Sequence, residues 1–367
     1  MTDPRFAHLL KLMDQYQIKT LALNPGPVFT YLTGLSFHLM ERPTVLIITK
    51  THDPLILLPE LEAGKLSASR IPLTPLTFND DPSTWQKVFT YASHRFNLEG
   101  STIGVEPTRL RFLELDYLQK AILVAKFVSA EKVCEGLRIM KDEEEINEMR
   151  RAVRIAQDAL KAVLSMVKPR VTEKEIAAEL TIQMLRLGSD PELPFSPIVA
   201  SGPNSANPHA VPTGREIQTG DLVVIDWGAR SNGYCSDLTR TFAVGNLAPE
   251  LERIYNVVQQ ANAAGRAAGA PEKAAGIIDK AVRSVIESAG FGDYFTHRTG
   301  HGLGLEDHES PYIFGENEQI LAPGMTYTVE PGIYLPGVGG VRIEDNILIT
   351  PTGCESLSDF SRDLTIL

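Results

Sequence analysis

Apolar positions over residues 1–130 follow two periods in alternation. Phe6, Leu9, Leu10 and Met13 recur at helical spacing behind Asp3, a candidate N-cap, whereas residues 21–23, 45–48, 55–58 and 103–105 are short apolar runs of strand length. Residues 109–122 read as a helix leading to a further strand at 127–128. Alternating helices and strands predict an α/β domain, and nothing in this stretch looks chemical.

Near Lys141 the texture changes. Residues 143–167 predict one long amphipathic helix, its apolar stripe being Ile146, Met149, Val153, Ala156, Leu160 and Val163. A second helix opens where Thr172 and Glu175 stand at capping-box spacing, and it stops at Gly188. After a Pro-rich loop come strands near 223–227 and 234–244. The order then repeats, with helices at 249–268 and 272–288, a Gly-rich segment, and strands near 325–330 and 341–349. Two helices followed by a strand pair, twice over, predict a pseudo-symmetric α+β domain with antiparallel sheet between layers of helix. A chain of 367 residues exceeds what one core usually serves, so we divide it into an N-terminal domain at 1–133 and a C-terminal domain at 134–367.

Composition changes this picture little, since 43% apolar and 22% charged residues suit a chain that buries a large core. Charge narrows the partners: a net −11 without any basic run argues against nucleic acid or anionic membrane. Cys134, Cys235 and Cys354 are scattered and lack CxxC spacing, which speaks against a disulfide framework or a thiolate zinc site and fits a reducing cytoplasm. The start, Met1-Thr2-Asp3-Pro4-Arg5, lacks the basic-then-apolar pattern of a signal peptide, and no stretch approaches the roughly 18 apolar residues of a spanning helix. A cytoplasmic location is expected.

The chemistry gathers in the C-terminal half. Ser231-Asn232-Gly233 signals a hairpin turn between Asp226 and Asp237, and a tip at Ser231 and Asn232 would set these carboxylates directly opposite on one sheet face. Val223, Val224, Ile225 and Trp227 mark the strand as buried, so their mutual repulsion calls for a positive partner. A second hairpin repeats the arrangement, with Glu330 and Glu344 flanking a Gly-rich tip at 336–340. Arg342 could neutralise one acid and Arg240 another, which leaves open a pair of buried salt bridges. His297, His301 and His308 fall within one Gly-rich run. One imidazole with four carboxylates is an oxygen-rich donor set that suits Mn2+ or Co2+, with Zn2+ or Fe2+ as alternatives. Four negative charges exceed what one divalent ion offsets; two ions about 3.5 to 4 Å apart would balance them and supply a hydrolytic nucleophile at neutral pH.

Ile225-Asp226-Trp227-Gly228, Ser236-Asp237-Leu238-Thr239-Arg240-Thr241-Phe242, Thr299-Gly300-His301-Gly302, Val329-Glu330-Pro331-Gly332 and Arg342-Ile343-Glu344-Asp345 resemble the metal-binding motifs of the aminopeptidase P and prolidase family. Residues 137–146 resemble the start of that family's catalytic domain, and the match runs in order from there to the C-terminus. The resemblance implies a creatinase-like N-terminal domain followed by a pita-bread catalytic domain, usually assembled as a homodimer. It implies that Asp226 chelates one metal ion, that Asp237 and Glu344 bridge both, and that His301 and Glu330 complete the other. Glu330 would double as the base that takes a proton from the attacking water. His209 and His308 match the family's substrate-contacting histidines, expected to stabilise the oxyanion and assist the leaving nitrogen. His297 and Arg342 are expected to orient ligands and substrate. The segment 36–43, with Phe37, His38, Glu41 and Arg42, is either an arm toward a dimer partner's cleft or a loop with local ion pairing.

Short proline-containing peptides are the expected substrates. A prolyl bond lacks the amide hydrogen, so its site should grip the ring by apolar contacts and the free N-terminus by carboxylates. The resemblance implies that strict dipeptidases set an extra Arg against the substrate carboxylate, often between the ligand His and the first ligand Glu. Residues 306–329 contain neither Arg nor Lys, which favours aminopeptidase P-like release of the N-terminal residue from Xaa-Pro-Yaa peptides. The alternative is an Xaa-Pro dipeptidase in which Arg298 or an N-terminal Arg takes that role. The fold also occurs as metal-free creatinase and as peptide- or histone-binding modules, but those relatives are expected to lose ligands that this chain retains. Methionine aminopeptidase would not need the N-terminal domain.

Overall fold

The computed structural model describes residues 3–367; Met1 and Thr2, the first residues of the start scanned for a signal peptide, lie outside it. The chain divides into two compact units, Met1–Arg138 and Ile139–Leu367. Among the described residues no helix is long and apolar enough to cross a membrane, and none of the three cysteines is in a disulfide.

The first unit runs α1 (Pro4–Gln15), β1 (Thr20–Leu23), α2 (Pro27–Thr33), β2 (Val45–Thr49), β3 (Leu55–Pro59), β4 (Thr74–Phe78), α3 (Pro82–Arg95), β5 (Thr102–Val105), α4 (Phe112–Ala121), β6 (Lys126–Ser129) and α5 (Glu131–Arg138). Asp3 caps α1 by accepting from the backbone amides of Arg5 (2.8 Å) and Phe6 (3.2 Å). The strands form one mixed sheet in the order β4-β3-β2-β1-β5-β6, and Ile47, Leu55, Leu57 and Ile103 pack there with Phe89 of α3 and Leu118 of α4. The α/β expectation holds. Sequence reading passed over β4, an edge strand containing Pro75, along with α2, α3 and α5.

The second unit runs α6 (Glu143–Val163), α7 (Glu173–Arg186), β7 (Ile198–Ser201), β8 (Leu222–Trp227), β9 (Arg230–Ser231), β10 (Tyr234–Cys235), β11 (Leu238–Ala243), α8 (Pro249–Ala268), α9 (Gly276–Ser288), β12 (Gly300–Gly302), β13 (Glu309–Ile313), β14 (Thr326–Val329), β15 (Gly332–Leu335), β16 (Gly339–Arg342), β17 (Asp345–Thr350), β18 (Gly353–Ser356) and β19 (Thr365–Ile366). Capping boxes at Asp142/Glu145 and Thr172/Glu175 start α6 and α7. Each half of the unit has its own core: Val153 and Leu160 pack with Ile225 and Trp227, while Ile254, Val258, Ile278 and Val282 pack with Tyr327 and Val329. Trp227 is fully buried and donates its indole N–H to the Ala156 carbonyl at 2.7 Å, fastening β8 to α6.

Two sheets, β19-β11-β8-β7 and β13-β12-β14-β17-β18, meet where Thr239 bridges Glu344. This is the repeated helix-pair and strand-pair plan that the sequence predicts. The first hairpin differs in register from the expectation, because its tip is Asn232-Gly233, both at positive φ, and Ser231 pairs with Tyr234. Asp226 therefore faces Thr239 rather than Asp237. The slip equals two residues, one full side-chain period, so both carboxylates still project to one face. In the second hairpin Val329 pairs with Asp345 and Gly332 with Arg342, so Glu330 falls opposite Glu344 as expected.

Asp345 anchors this junction from the other side of the strand. Its fully buried carboxylate accepts from Arg240 Nη2 (2.8 Å), Arg362 Nε (2.8 Å), Ser358 Oγ (2.8 Å) and Asn262 Nδ2 (3.0 Å). Burial opposes its charge, but Arg240 and Arg362 outweigh it and hold the carboxyl well below the ordinary range. Removing one partner of such a cluster leaves buried guanidinium charge uncompensated, so Asp345→Asn is expected to lower stability by about 3–5 kcal/mol, measured by denaturant unfolding. A loss under about 1 kcal/mol would contradict this role.

Candidate active site

Asp226 is the penultimate residue of the buried strand β8, Asp237 precedes β11, His301 sits within β12, Glu330 follows β14 and Glu344 lies between β16 and β17. Paired strands thus deliver all five side chains to one place. Ligand atoms of Asp226, Asp237 and Glu344 lie within 4.8 Å of one another, as do those of His301, Glu330 and Glu344, and those of Asp237, His301 and His308. Asp237, His301 and Glu344 each belong to two of these groups.

The surroundings fix each side chain and leave specific lone pairs free. Thr239 Oγ1 donates to Glu344 Oε2 at 2.7 Å while accepting from Arg342 Nε at 3.1 Å. Thr328 Oγ1 donates to Glu330 Oε1 at 3.2 Å and accepts from the His301 amide at 3.1 Å. The Asn346 side chain clasps the Asp237 backbone, accepting from its N–H at 3.1 Å and donating to its carbonyl. Arg342 Nη2 donates to Asp226 Oδ2 at 2.6 Å, so one acid has the salt bridge foreseen for it. Arg240 does not serve another: its carboxylate partner is Asp345, which points away from the cluster. Asp226 Oδ1 and Asp237 Oδ1 are buried and accept no hydrogen bond.

Burial above all, followed by mutual repulsion, pushes Asp237 and Glu344 well above the ordinary carboxylate range. Burial likewise raises Asp226 against the pull of Arg342, and lifts Glu330 to about 7. Burial, with His308 beside it, holds His301 well below the usual imidazole range. Its Nδ1 lies 3.1 Å from the Gly302 carbonyl, which can only accept, so Nδ1 carries the proton. The Nε2 lone pair then faces Asp237 Oδ2 at 3.6 Å and Glu330 Oε1 at 3.4 Å. Lone pairs converging on lone pairs in a buried site are the donor side of a cation site.

A cavity of about 510 Å3 opens onto this cluster, and it is lined by all five residues together with His209, His297, His308 and Arg342. The ring of His308 lies over that of His301, centroids 3.7 Å apart. His297 donates from Nδ1 to the Arg298 carbonyl (2.8 Å) and accepts at Nε2 from Tyr334 OH (2.9 Å), which in turn accepts from Arg342 Nη1 (3.0 Å). Burial, then Arg342, lowers His297 to about 4, so it stays neutral and relays orientation from Arg342. Phe195, Ile198 and Pro208 supply an apolar wall. Arg298 lines the same cavity, its guanidinium 4.4 Å from the centroid of the Tyr312 ring and Nη2 3.5 Å from His308 Nδ1. Sequence reasoning overlooked Thr239, Thr328, Tyr334 and Asn346; for Thr239 the signal was present, since it stands two residues beyond Asp237 on a strand and so shares its face.

Residues 147–351 match metallopeptidase family M24, and residues 5–140 match the Creatinase/Prolidase N-terminal domain. An Xaa-Pro dipeptidase of Pyrococcus horikoshii is 34% identical over 358 residues, covering 97% of each chain. The crystal structure of a dipeptidase from Pyrococcus horikoshii OT3 aligns with a TM-score of 0.92 at 36% identity, covering 99% of this chain and 100% of that one. That of an X-Pro aminopeptidase from Thermotoga maritima aligns with a TM-score of 0.85 at 26% identity, covering 98% and 99%. The creatinase-like N-terminal domain and pita-bread catalytic domain implied by the motifs are thus the fold of this protein, and the chain belongs to metallopeptidase family M24.

Proposed function

We propose that the protein is a two-metal Xaa-Pro dipeptidase, and Arg298 is the observation that carries this choice. Among the described residues it is a cation of the cavity ion-paired with no carboxylate, whereas Arg342 is engaged by Asp226. A planar guanidinium beside the metal-ligand cluster suits the free carboxylate of a dipeptide, which it can hold by two parallel hydrogen bonds. The preference for longer peptides rested on the lack of Arg and Lys over 306–329; Arg298 stands in the cavity from another direction and shifts the balance to the dipeptide. The names of the relatives support the same side, since the dipeptidases align more closely than the aminopeptidase does.

Asp226, Asp237, His301, Glu330 and Glu344 fit a pair of hard divalent ions, manganese first, because the donor set is oxygen-rich, two buried carboxylate oxygens lack partners and the imidazole offers a bare nitrogen. When bound, such ions polarise the scissile carbonyl and generate a hydrolytic nucleophile at neutral pH. Glu330 is the acid placed to accept a proton from the attacking water and return it to the prolyl nitrogen, which must leave as an amine. His308 and His209 line the cavity where the carbonyl oxygen gains charge and can donate to it. Phe195, Ile198 and Pro208 receive the pyrrolidine ring, and Thr239 with Arg342 keeps Glu344 and Asp226 from turning away. The same reading carries a homodimer, which sedimentation tests.

Chelator-stripped protein titrated with Mn2+ to about one hundred times its Kd should gain about 2.7 kcal/mol, a Tm rise of roughly 5–11 °C for a domain of this size. Asp237→Asn, which preserves volume and weakens two ligand groups at once, should fold yet lose most of that rise. No rise in the unmutated protein would refute the metal assignment. With Mn2+ present, Arg298→Ala should raise KM for Gly-Pro roughly tenfold or more with kcat little changed. If the unmutated enzyme cleaves Arg-Pro-Pro and leaves Gly-Pro intact, the aminopeptidase reading replaces this one.

A further inference from the structure

His209 is exposed, and no helix or strand lies between the short turn at Gly202–Ala206 and β8. Exposed itself, it depends on the course of its loop to be aimed into the cavity. The ends of its loop converge on one side chain, Glu173, the first residue of α7, whose carboxylate is fully buried. At one end Glu173 Oε1 accepts from Ser201 N (2.7 Å), Ser201 Oγ (2.8 Å) and Asn204 Nδ2 (3.1 Å). At the other end Oε2 accepts from Thr213 N (2.9 Å) and Thr213 Oγ1 (2.7 Å). Asn204 Nδ2 also reaches Glu173 Oε2 (3.2 Å) and Thr213 Oγ1 (3.3 Å), and between the clamps the loop rests on β16, with Ser205 buried, where Gly340 N donates to Ser205 Oγ (2.8 Å) and Arg342 Nη1 to the Pro208 carbonyl (3.1 Å).

Resting on the functional reading above, we propose that Glu173 is a positioning residue for the reaction: it draws the two ends of the 202–212 loop together and thereby holds His209 against the substrate. Five donors meet two oxygens, so only an acceptor-only group satisfies them all. Burial works against the charge, yet the hydrogen bonds from Thr213 and Ser201 outweigh it and keep the carboxyl below its ordinary range. A glutamine would turn one of the two oxygens into an amide nitrogen facing donors, opening one end of the clamp without changing side-chain size. Neither Glu173 nor its partners are among the five metal ligands, so metal content should not move.

The test is a double-mutant cycle on the manganese-loaded enzyme, with Gly-Pro as substrate, joined to hydrogen exchange. Glu173→Gln should lower kcat on the order of tenfold to a hundredfold at unchanged metal content. In a His209→Ala background the same substitution should alter kcat by less than about twofold, because the group through which it acts is gone. Amides of residues 201–213 should exchange about tenfold faster in Glu173→Gln, with those of α8 and β14 unchanged. Equal losses of kcat in both backgrounds, or an unchanged exchange rate in the loop, would overturn the proposal. If Glu173→Gln does not fold, Thr213→Val removes one donor to the same carboxylate and enters the same cycle. Absence of Xaa-Pro turnover in the unmutated enzyme would count against the functional reading, and exchange alone would then decide whether Glu173 holds the loop.

Discussion

Four carboxylates, those of Asp226, Asp237, Glu330 and Glu344, crowd one pocket in which a single guanidinium, that of Arg342, is ion-paired with any of them, and much of the surrounding structure answers to their repulsion. Two like charges about 4 Å apart at an effective dielectric of about 20 repel by roughly 4 kcal/mol, and Arg342 can offset only one of the four. Rigidity is the other requirement, since flexible carriers would swing the acids into water. Strand pairing supplies it: Thr239 bridges Glu344 by backbone and by hydroxyl, and Asn346 holds Asp237 by its main chain, leaving the carboxylate free. The scaffold holds the negative charges close, and divalent cations are what that closeness serves.

Strand alternation separates this cluster from the one that stabilises the fold. Glu344 and Asp345 are neighbours in sequence, yet one faces the cavity and the other faces Arg240 and Arg362. Successive side chains on a strand point to opposite faces, so two buried carboxylates one residue apart acquire opposite electrostatic fates. Arg240 and Arg362 hold the Asp345 carboxyl below the ordinary range, whereas desolvation among other acids raises that of Glu344 above it. The C-terminal segment that carries Ser358 and Arg362 is thereby tied to the back of the site.

Legibility in the sequence follows the range of the interactions. The clustering of the acids could be read because hairpins make distant positions local: Glu330 and Glu344 face one another for the same reason that their tip lies midway between them. The first hairpin was placed two residues off, since the turn chemistry of Asn232-Gly233 sets the tip one residue later than supposed, and period-two alternation forgave the error. What the sequence concealed depends on approach between segments far apart in the chain. Arg240 was as plausible a partner for a cluster acid as Arg342, and only the face on which each strand residue lands separates them. Arg298 was one of two candidates for the dipeptide's carboxylate, and only the cavity places it beside His308. β4 escaped because an edge strand with a proline and a half-exposed pattern carries little apolar signal.

The central claim is that this cluster exists to hold two cations. Anomalous diffraction from crystals grown with Mn2+ tests it without reference to any substrate. Two manganese peaks are predicted, one among Asp226, Asp237 and Glu344 and the other among His301, Glu330 and Glu344. A map in which those side chains surround no metal at all, their charges met by protons and Arg342 alone, would contradict the account.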